Sequence, residues 1–420
     1  MSAPTPQLAR AVIASLGGAG QPPDVGIETI NVGNESILSV LEEEYLGPIA
    51  ATGRGSSFKL VQAYYGGGKT HFLLCVRQRA WSRGMCSALV NLSPDECPFD
   101  DTRRIYTSVA RELCWPPADT SVAPTRGIEH TLAAAYDEKV LQLGETGVGE
   151  WIETQVRTVP VDAPSWRAGM VSFFRARHAG DAGGEELSAA WLRGDELSPA
   201  EMKTLGVRES ITRENGMRML RSLCQGLQGI GSPGLLIAFD EVDRALSLPP
   251  KRRRLIADNL RQLIDACGRE QLPGLLCLYA VPPEFMTNVI TEYPALQQRL
   301  KGPSALSERS PQSPLIDLEN LDLPTEALLQ QIGARILELF RIGYAEQWDT
   351  PLQAANIRAL AKEVRDTAFE VAHRRAFVKS AVEMLHGQRV GAHPITSDEV
   401  GALVGRAASV VPADDDEGEF

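Results

Sequence analysis

Apolar positions along the chain fall into two rhythms. Gln7–Leu16 has helical spacing and stops at the Gly/Pro-rich stretch 17–23. After Gly26-Ile-Glu-Thr-Ile-Asn-Val-Gly33, a second helix is predicted from Asn34, with Asn as its cap and Ile37, Leu38 and Leu41 on one face. The rhythm then changes. Phe58–Gln62 is a short apolar run, followed by a glycine cluster, a helical stretch over Thr70–Trp81 and another apolar run, Met85–Leu92. Strand, helix, strand at this spacing is a βαβ unit, which implies a parallel sheet.

From about 95 to 230 there is little strand-like alternation. Thr102–Leu113, Gly127–Gln142 and Glu209–Gly229 are predicted helices, and Ala179–Glu186 (AGDAGGEE) is a surface loop by composition. This stretch is expected to be a helical insertion in the sheet domain. Short apolar runs return at Leu235–Phe239, Leu275–Ala280 and Leu315–Leu318, separated by predicted helices at Lys251–Cys267 and Glu284–Leu300. Pro324–His386 is predicted to be helical throughout. The end, Ala413–Phe420, is acidic and expected to be disordered.

Composition narrows the function classes. Basic residues number 42 and acidic residues 54, a net charge of −12 in 420 residues. Such a chain is a poor wholesale nucleic-acid coat, although a local basic patch can still meet DNA. Lys251-Arg-Arg-Arg254 is one such patch, or else a solvated helix start. No run has the roughly 20 apolar residues of a membrane span. The N-terminus has no basic start before its apolar patch, so no signal peptide is expected. Seven cysteines without a CxxC pair fit buried thiols in a reducing, cytoplasmic setting better than disulfides or zinc, and the histidines lack metal-ligand spacing.

The most informative segment is Ala63-Tyr-Tyr-Gly-Gly-Gly-Lys69-Thr70. Crowded anionic oxygens are best bound by inward-pointing backbone N–H groups, and Gly66, Gly67 and Gly68 leave them bare. Lys69 can reach β- and γ-phosphates, and the Thr70 hydroxyl can ligate Mg²⁺. The helix starting here turns its positive end toward the same anions. Ala63 stands where glycine is usual, which alanine tolerates if its backbone avoids positive φ. Tyr64 and Tyr65 either stack on a base or pack beside the loop.

The second constellation is Gly234-Leu-Leu-Ile-Ala-Phe-Asp240-Glu241, an apolar strand ending in two carboxylates. Strand C-termini face the ligand in a parallel nucleotide-binding sheet. Asp240 is therefore expected beside the metal, and Glu241 beside the water that attacks the γ-phosphate. Two arginines are candidates to complete the site. Arg299 lies after the predicted strand Leu275–Ala280, where ring-forming ATPases place an arginine that reaches a neighbouring subunit's γ-phosphate. It reads equally as a solvated helix-end arginine. Arg375, in His373-Arg-Arg-Ala-Phe377, is a candidate lid arginine, with Arg374 as its adjacent competitor and two exposed helix arginines as the bland alternative.

Taken together, the phosphate loop, Phe239-Asp-Glu241, Pro283-Glu-Phe285 and Arg375-Ala-Phe377 resemble an AAA+-type ATPase. More narrowly, Ile27–Gly33, Tyr65–Phe72 (YGGGKTHF) and Trp191-Leu-Arg-Gly194 resemble the BREX-system ATP-binding proteins, the BrxC/BrxD-like group, over most of residues 5–400. Pro282 departs from the family's Thr or Ser, where a polar sensor would read the γ-phosphate. BrxD-like members are the closer comparison in length. The resemblance implies an α/β P-loop NTPase core over 51–322, an N-terminal segment (1–50) packing on the nucleotide site, a helical lid over 323–400 and a tail over 401–420. It implies ATP and Mg²⁺ as cofactors, with Val32, Gly33, Tyr65 and His71 joining the loop around the nucleotide. It also implies ATP-dependent assembly in a phage-defence system, with homo-oligomers, DNA and partners such as a helicase. The competing expectation is an ATP-gated scaffold that hydrolyses little or nothing.

Overall fold

The computed structural model describes residues 4–409 apart from 19, 94–96, 120, 242–247, 303, 345–346 and 368–372. Its centre is a six-stranded sheet built from β1 (Ser56–Gln62), β2 (Cys86–Asn91), β3 (Leu113–Cys114), β4 (Leu235–Asp240), β5 (Leu275–Val281) and β6 (Leu315–Asp317). The order is β3-β2-β4-β5-β1-β6, and every pairing is parallel except that of β3 with β2. Every residue of β4 and β5 is buried. Both faces of these strands are covered, which is why they read as continuous apolar runs rather than alternating ones.

Alternation decides which core each side chain joins. Phe58, Leu60, Ile237, Phe239, Cys277 and Tyr279 face one layer, where the helical insertion packs with Tyr106, Trp166, Phe173 and Trp191. Val61, Leu236, Ala238, Leu276, Leu278 and Ala280 face the other layer. There the N-terminal helix Pro6–Gly17, the helix after the glycine loop and the C-terminal helices close the core. A strand lysine is buried with them. Lys59 of β1 donates to Tyr45 Oη (2.6 Å) and Ser313 O (2.8 Å) and sits 4.2 Å from the Tyr45 ring centre, while burial pushes its pKa down to about 8.

Several elements differ from the sequence expectation, each for a local reason. Ala179–Glu186 is not a loop. Gly180 takes φ 70° to end the helix Pro164–Ala179, and Asp181 accepts the Gly184 N–H (3.0 Å) to cap the next helix, Ala182–Arg193. Two caps laid end to end have the composition of a loop. The helix expected from Glu209 begins at Gly216. Before it, Asn215 takes the Thr212 N–H (2.8 Å) and donates to Ser210 O (2.9 Å), a turn in place of a helical start. Glu284–Leu300 is broken into Pro283–Asn288, a 3₁₀ turn Ile290–Glu292 and Pro294–Leu300, because Pro294 has no N–H to continue a helix. The helical C-terminal region divides into Thr325–Tyr344, Thr350–Asp366 and His373–Val390. A further helix, Ser397–Ser409, runs into the stretch expected to be tail, and the acidic end lies outside the described residues.

All seven cysteines are buried and unpaired, as their apolar settings predict. Among the described residues no helix is long and apolar enough to cross a membrane. With the glycine loop between β1 and its helix, this sheet has the α/β arrangement of a P-loop NTPase fold.

Candidate nucleotide site

The ends of β1, β4, β5 and β6 share one edge of the sheet, since these strands are parallel. The chain segments just past these ends form the site. After β1, Gly66 (φ 70°) and Gly68 (φ 91°) take left-handed conformations that a side chain would strain. Gly67 needs its bare Cα for space, because a Cβ there would collide with Glu319 Oε1. Ala63 has no positive φ, so the departure from glycine carries no strain. Lys69 is 7% exposed and its Nζ donates to Ala63 O (2.9 Å) and Tyr64 O (3.2 Å).

β5 lies between β1 and β4, so Asp240 is two strand spacings, roughly 9–10 Å, from the β1 tip. The helix Lys69–Ser82 bridges that gap. Its Thr70 Oγ1 donates to Asp240 Oδ2 at 2.5 Å. Asp240 is 2% exposed, and its other oxygen accepts the Glu241 N–H (2.9 Å). Glu241 holds φ 59°, an unusual value for a residue with a side chain and one often found at functional sites. Pro282 follows β5 directly and lines the same space, with Glu284 and Asn288 further along the chain also in the lining.

These groups open onto a cavity of about 860 Å³. That lies within the roughly 300–1,000 Å³ of small-ligand sites. Tyr65, Gly66, Gly68, Lys69, Thr70 and His71 line it, with Asp240 and Glu241 opposite. Val32 also lines it, within an apolar end made by Ile30 and by Leu328 and Ile332 of the C-terminal helices. Gly33 does not. Its φ of 82° makes a turn, and a Cβ there would come within 2.8 Å of Leu328 Cδ1. Gly67 also lies outside the lining, its N–H donated to Tyr64 O (3.0 Å).

Arg375 lines the cavity and donates to Tyr65 Oη at 2.6 Å. Arg374 lines it too, but its guanidinium donates to Gly67 O and to Leu318 O (2.6 Å), and burial pushes its pKa down. Glu319, two residues past β6, accepts the Tyr64 N–H at 2.9 Å. Arg374 and Glu319 therefore hold the phosphate loop through its main chain. Sequence reasoning missed Glu319, although a carboxylate just past a strand tip is a readable signal. Arg299 stands apart. It does not line the cavity, and its Nε and Nη2 grip the two oxygens of Asp265 (2.5 and 3.0 Å).

The donor set fits a nucleoside triphosphate with a divalent cation. Bare amides, an ammonium and a helix N-terminus meet anionic oxygens at one end, and the apolar end suits a base. Thr70 and Asp240 supply a hydroxyl and a carboxylate of the kind magnesium takes, with waters and phosphate oxygens completing its shell. Among the described residues no group of three or more His, Cys, Asp or Glu gathers as a metal cage. His71 is held on Asn31 Oδ1 (Nε2 at 3.2 Å), and burial, aided by Arg374, pushes its pKa down to about 4.

Residues 5–397 match the family model described as BREX system ATP-binding protein BrxC/D, a description that covers both proteins together. Among solved structures, the Aeropyrum pernix ORC2 protein in ADPNP–ADP complexes is similar at 12% identity, covering 89% of this chain and 67% of that chain, with a TM-score of 0.47. No curated protein matches the chain.

Proposed function

The chain belongs to the BrxC/D family of BREX system ATP-binding proteins, and from that premise we propose that it binds ATP with Mg²⁺ and hydrolyses it to drive assembly or a conformational switch in phage defence. The observation that carries this reading is the 2.5 Å contact of Thr70 with Asp240 at the rim of a glycine loop. In this reading the loop amides and Lys69 bind the β- and γ-phosphates. Thr70 and Asp240 would hold Mg²⁺, which would supply positive charge beside the phosphoryl oxygens. Glu241 orients a water toward the γ-phosphorus and takes up its proton as the bond to the β–γ bridging oxygen breaks, leaving ADP and phosphate. Arg375 leaves Tyr65 to meet the γ-phosphate and reports occupancy through the lid.

Partners are other proteins of the defence system, among them a helicase, and DNA reached directly or through them. Arg299 acts across an interface between copies of the chain, exchanging Asp265 for a neighbour's γ-phosphate. The test mixes two inactive proteins, Arg299→Ala and Glu241→Gln. Mixed assemblies are expected to regain Mg²⁺-dependent turnover, because some interfaces pair an intact Arg299 with an intact Glu241. Silent mixtures of normally sized assemblies argue against the role.

Pro282 favours a second reading, an ATP-gated scaffold with little turnover, because a proline stands at the position directly after β5 where the family has a Thr or Ser. Turnover of the wild-type protein, with and without double-stranded DNA, separates the two.

A further inference from the structure

Resting on the nucleotide reading above, we infer that His71 selects the nucleobase, accepting a hydrogen bond at Nδ1 from a purine 6-amino group and disfavouring a 6-oxo group. The assignment follows from a chain of donors and acceptors anchored outside the cavity. The Glu35 carboxylate only accepts, and Asn31 Nδ2 donates to it at 2.7 Å. That fixes which way the Asn31 amide points. Asn31 Oδ1 then accepts from Asn34 Nδ2 (3.1 Å) and lies 3.2 Å from His71 Nε2. An amide oxygen cannot donate, so Nε2 carries the hydrogen. A neutral imidazole protonated at Nε2 has a bare acceptor at Nδ1. Cys75 Sγ, 3.5 Å from the same Nε2, is a weak group that leaves this assignment in place.

Position matches the chemistry. His71 directly follows Thr70 and lines the cavity, and its Nδ1 has no hydrogen-bond partner among the described residues. Asn34, 5% exposed, belongs to the same wall. With its Nδ2 committed to Asn31, its Oδ1 is buried without a partner. The wall therefore carries two acceptors beside Ile30 and Val32. Apolar flanks suit a planar base better than ribose hydroxyls, and an amino group brings hydrogens where a carbonyl oxygen brings only lone pairs. Glu35 and Asn31 are positioning residues, and His71 is the group that touches the base.

The test measures affinities of the full chain for ADP, IDP and 2′-deoxy-ADP by calorimetry at pH 8, where hydrolysis does not intervene. ADP is expected to bind roughly tenfold or more tightly than IDP, as sites that hydrogen-bond a substrate group reject analogues lacking it. 2′-Deoxy-ADP is expected to match ADP. His71→Phe should bring the ADP/IDP ratio to about one by weakening ADP. Glu35→Gln, a change on an exposed side chain, frees Asn31 to turn and lets His71 present a hydrogen at Nδ1. It should narrow the ratio by strengthening IDP. Equal ADP and IDP affinities in the wild type, or a ratio unchanged in either variant, would overturn the inference. A penalty on 2′-deoxy-ADP instead of IDP would overturn it in favour of a ribose contact. If none of the three nucleotides binds, the nucleotide reading itself fails, which is a distinguishable result.

Discussion

Lys69→Ala is expected to cut ATP turnover by roughly 10²–10³-fold, the usual cost of removing one preorganised donor from a charged transition state. The ammonium is buried at the loop, where it donates to Ala63 O and Tyr64 O and is in place to meet phosphate oxygens. Its replacement removes the full charge that the glycine amides cannot supply. The same change strips both carbonyls of a donor, so a loss of activity through misfolding has to be separated from a loss through chemistry. Thermal unfolding does this. A variant that melts near the wild-type temperature but neither binds nor hydrolyses ATP supports the site. Lys69→Arg keeps the charge on a planar, bulkier head that does not fit the same turn, and is expected to recover little. Wild-type turnover in a folded Lys69→Ala protein would remove the basis for the nucleotide reading.

The parts of this site that were legible in the sequence are those whose chemistry is local. Three consecutive glycines before Lys-Thr announce a bare-backbone loop, and an apolar run closing on Asp240-Glu241 announces a strand tip with carboxylates. Each motif is complete within ten residues. That they meet follows from strand order alone, because β5 inserts between β1 and β4 and Thr70 spans it. What escaped is held together by main-chain partners. Arg374 binds the carbonyl of Gly67, 307 residues away, and any residue could provide that carbonyl. Nothing in composition distinguishes it from Arg375, whose hydroxyl partner Tyr65 is equally remote. Glu319 likewise meets a backbone N–H. Asn31 and Asn34 sit beside Val32 and Gly33, which the sequence did single out. Their importance lies in which way two amides point, and only Glu35 decides that.

The fold shows the same division. β4 and β5 were visible because strands buried on both faces must be apolar along their length. Ala179–Glu186 was misread because Gly180 and Asp181 each stop one helix or start another, and composition does not say how far apart those events lie. Lys59 offers the sharpest case. A lysine inside a run expected to be a strand suggests an exposed face, yet Tyr45 and Ser313 give it an aromatic face and a carbonyl that replace water. No pattern within β1 records those partners.

Glu241→Gln is expected to keep ATP bound while slowing its hydrolysis by roughly 10²–10⁴-fold, the range general-base catalysis contributes. The substitution keeps size and shape. It also keeps the backbone N–H that Asp240 Oδ1 accepts, so the metal-side carboxylate stays in place. The charge and basicity at the cavity wall change, and one acceptor oxygen becomes an N–H donor. Removing one negative charge from the space opposite the phosphates also lowers repulsion, so affinity for ATP should stay level or rise. Calorimetric binding and single-turnover hydrolysis, measured on the same preparation, separate the two effects. If hydrolysis persists at the wild-type rate, Glu241 does not activate the water. If binding is lost as well, the left-handed backbone at Glu241 is supporting the site structurally, and the catalytic role falls. Retained binding without turnover would also trap any assembly that depends on bound ATP, which is the state in which an interface arginine such as Arg299 is best sought.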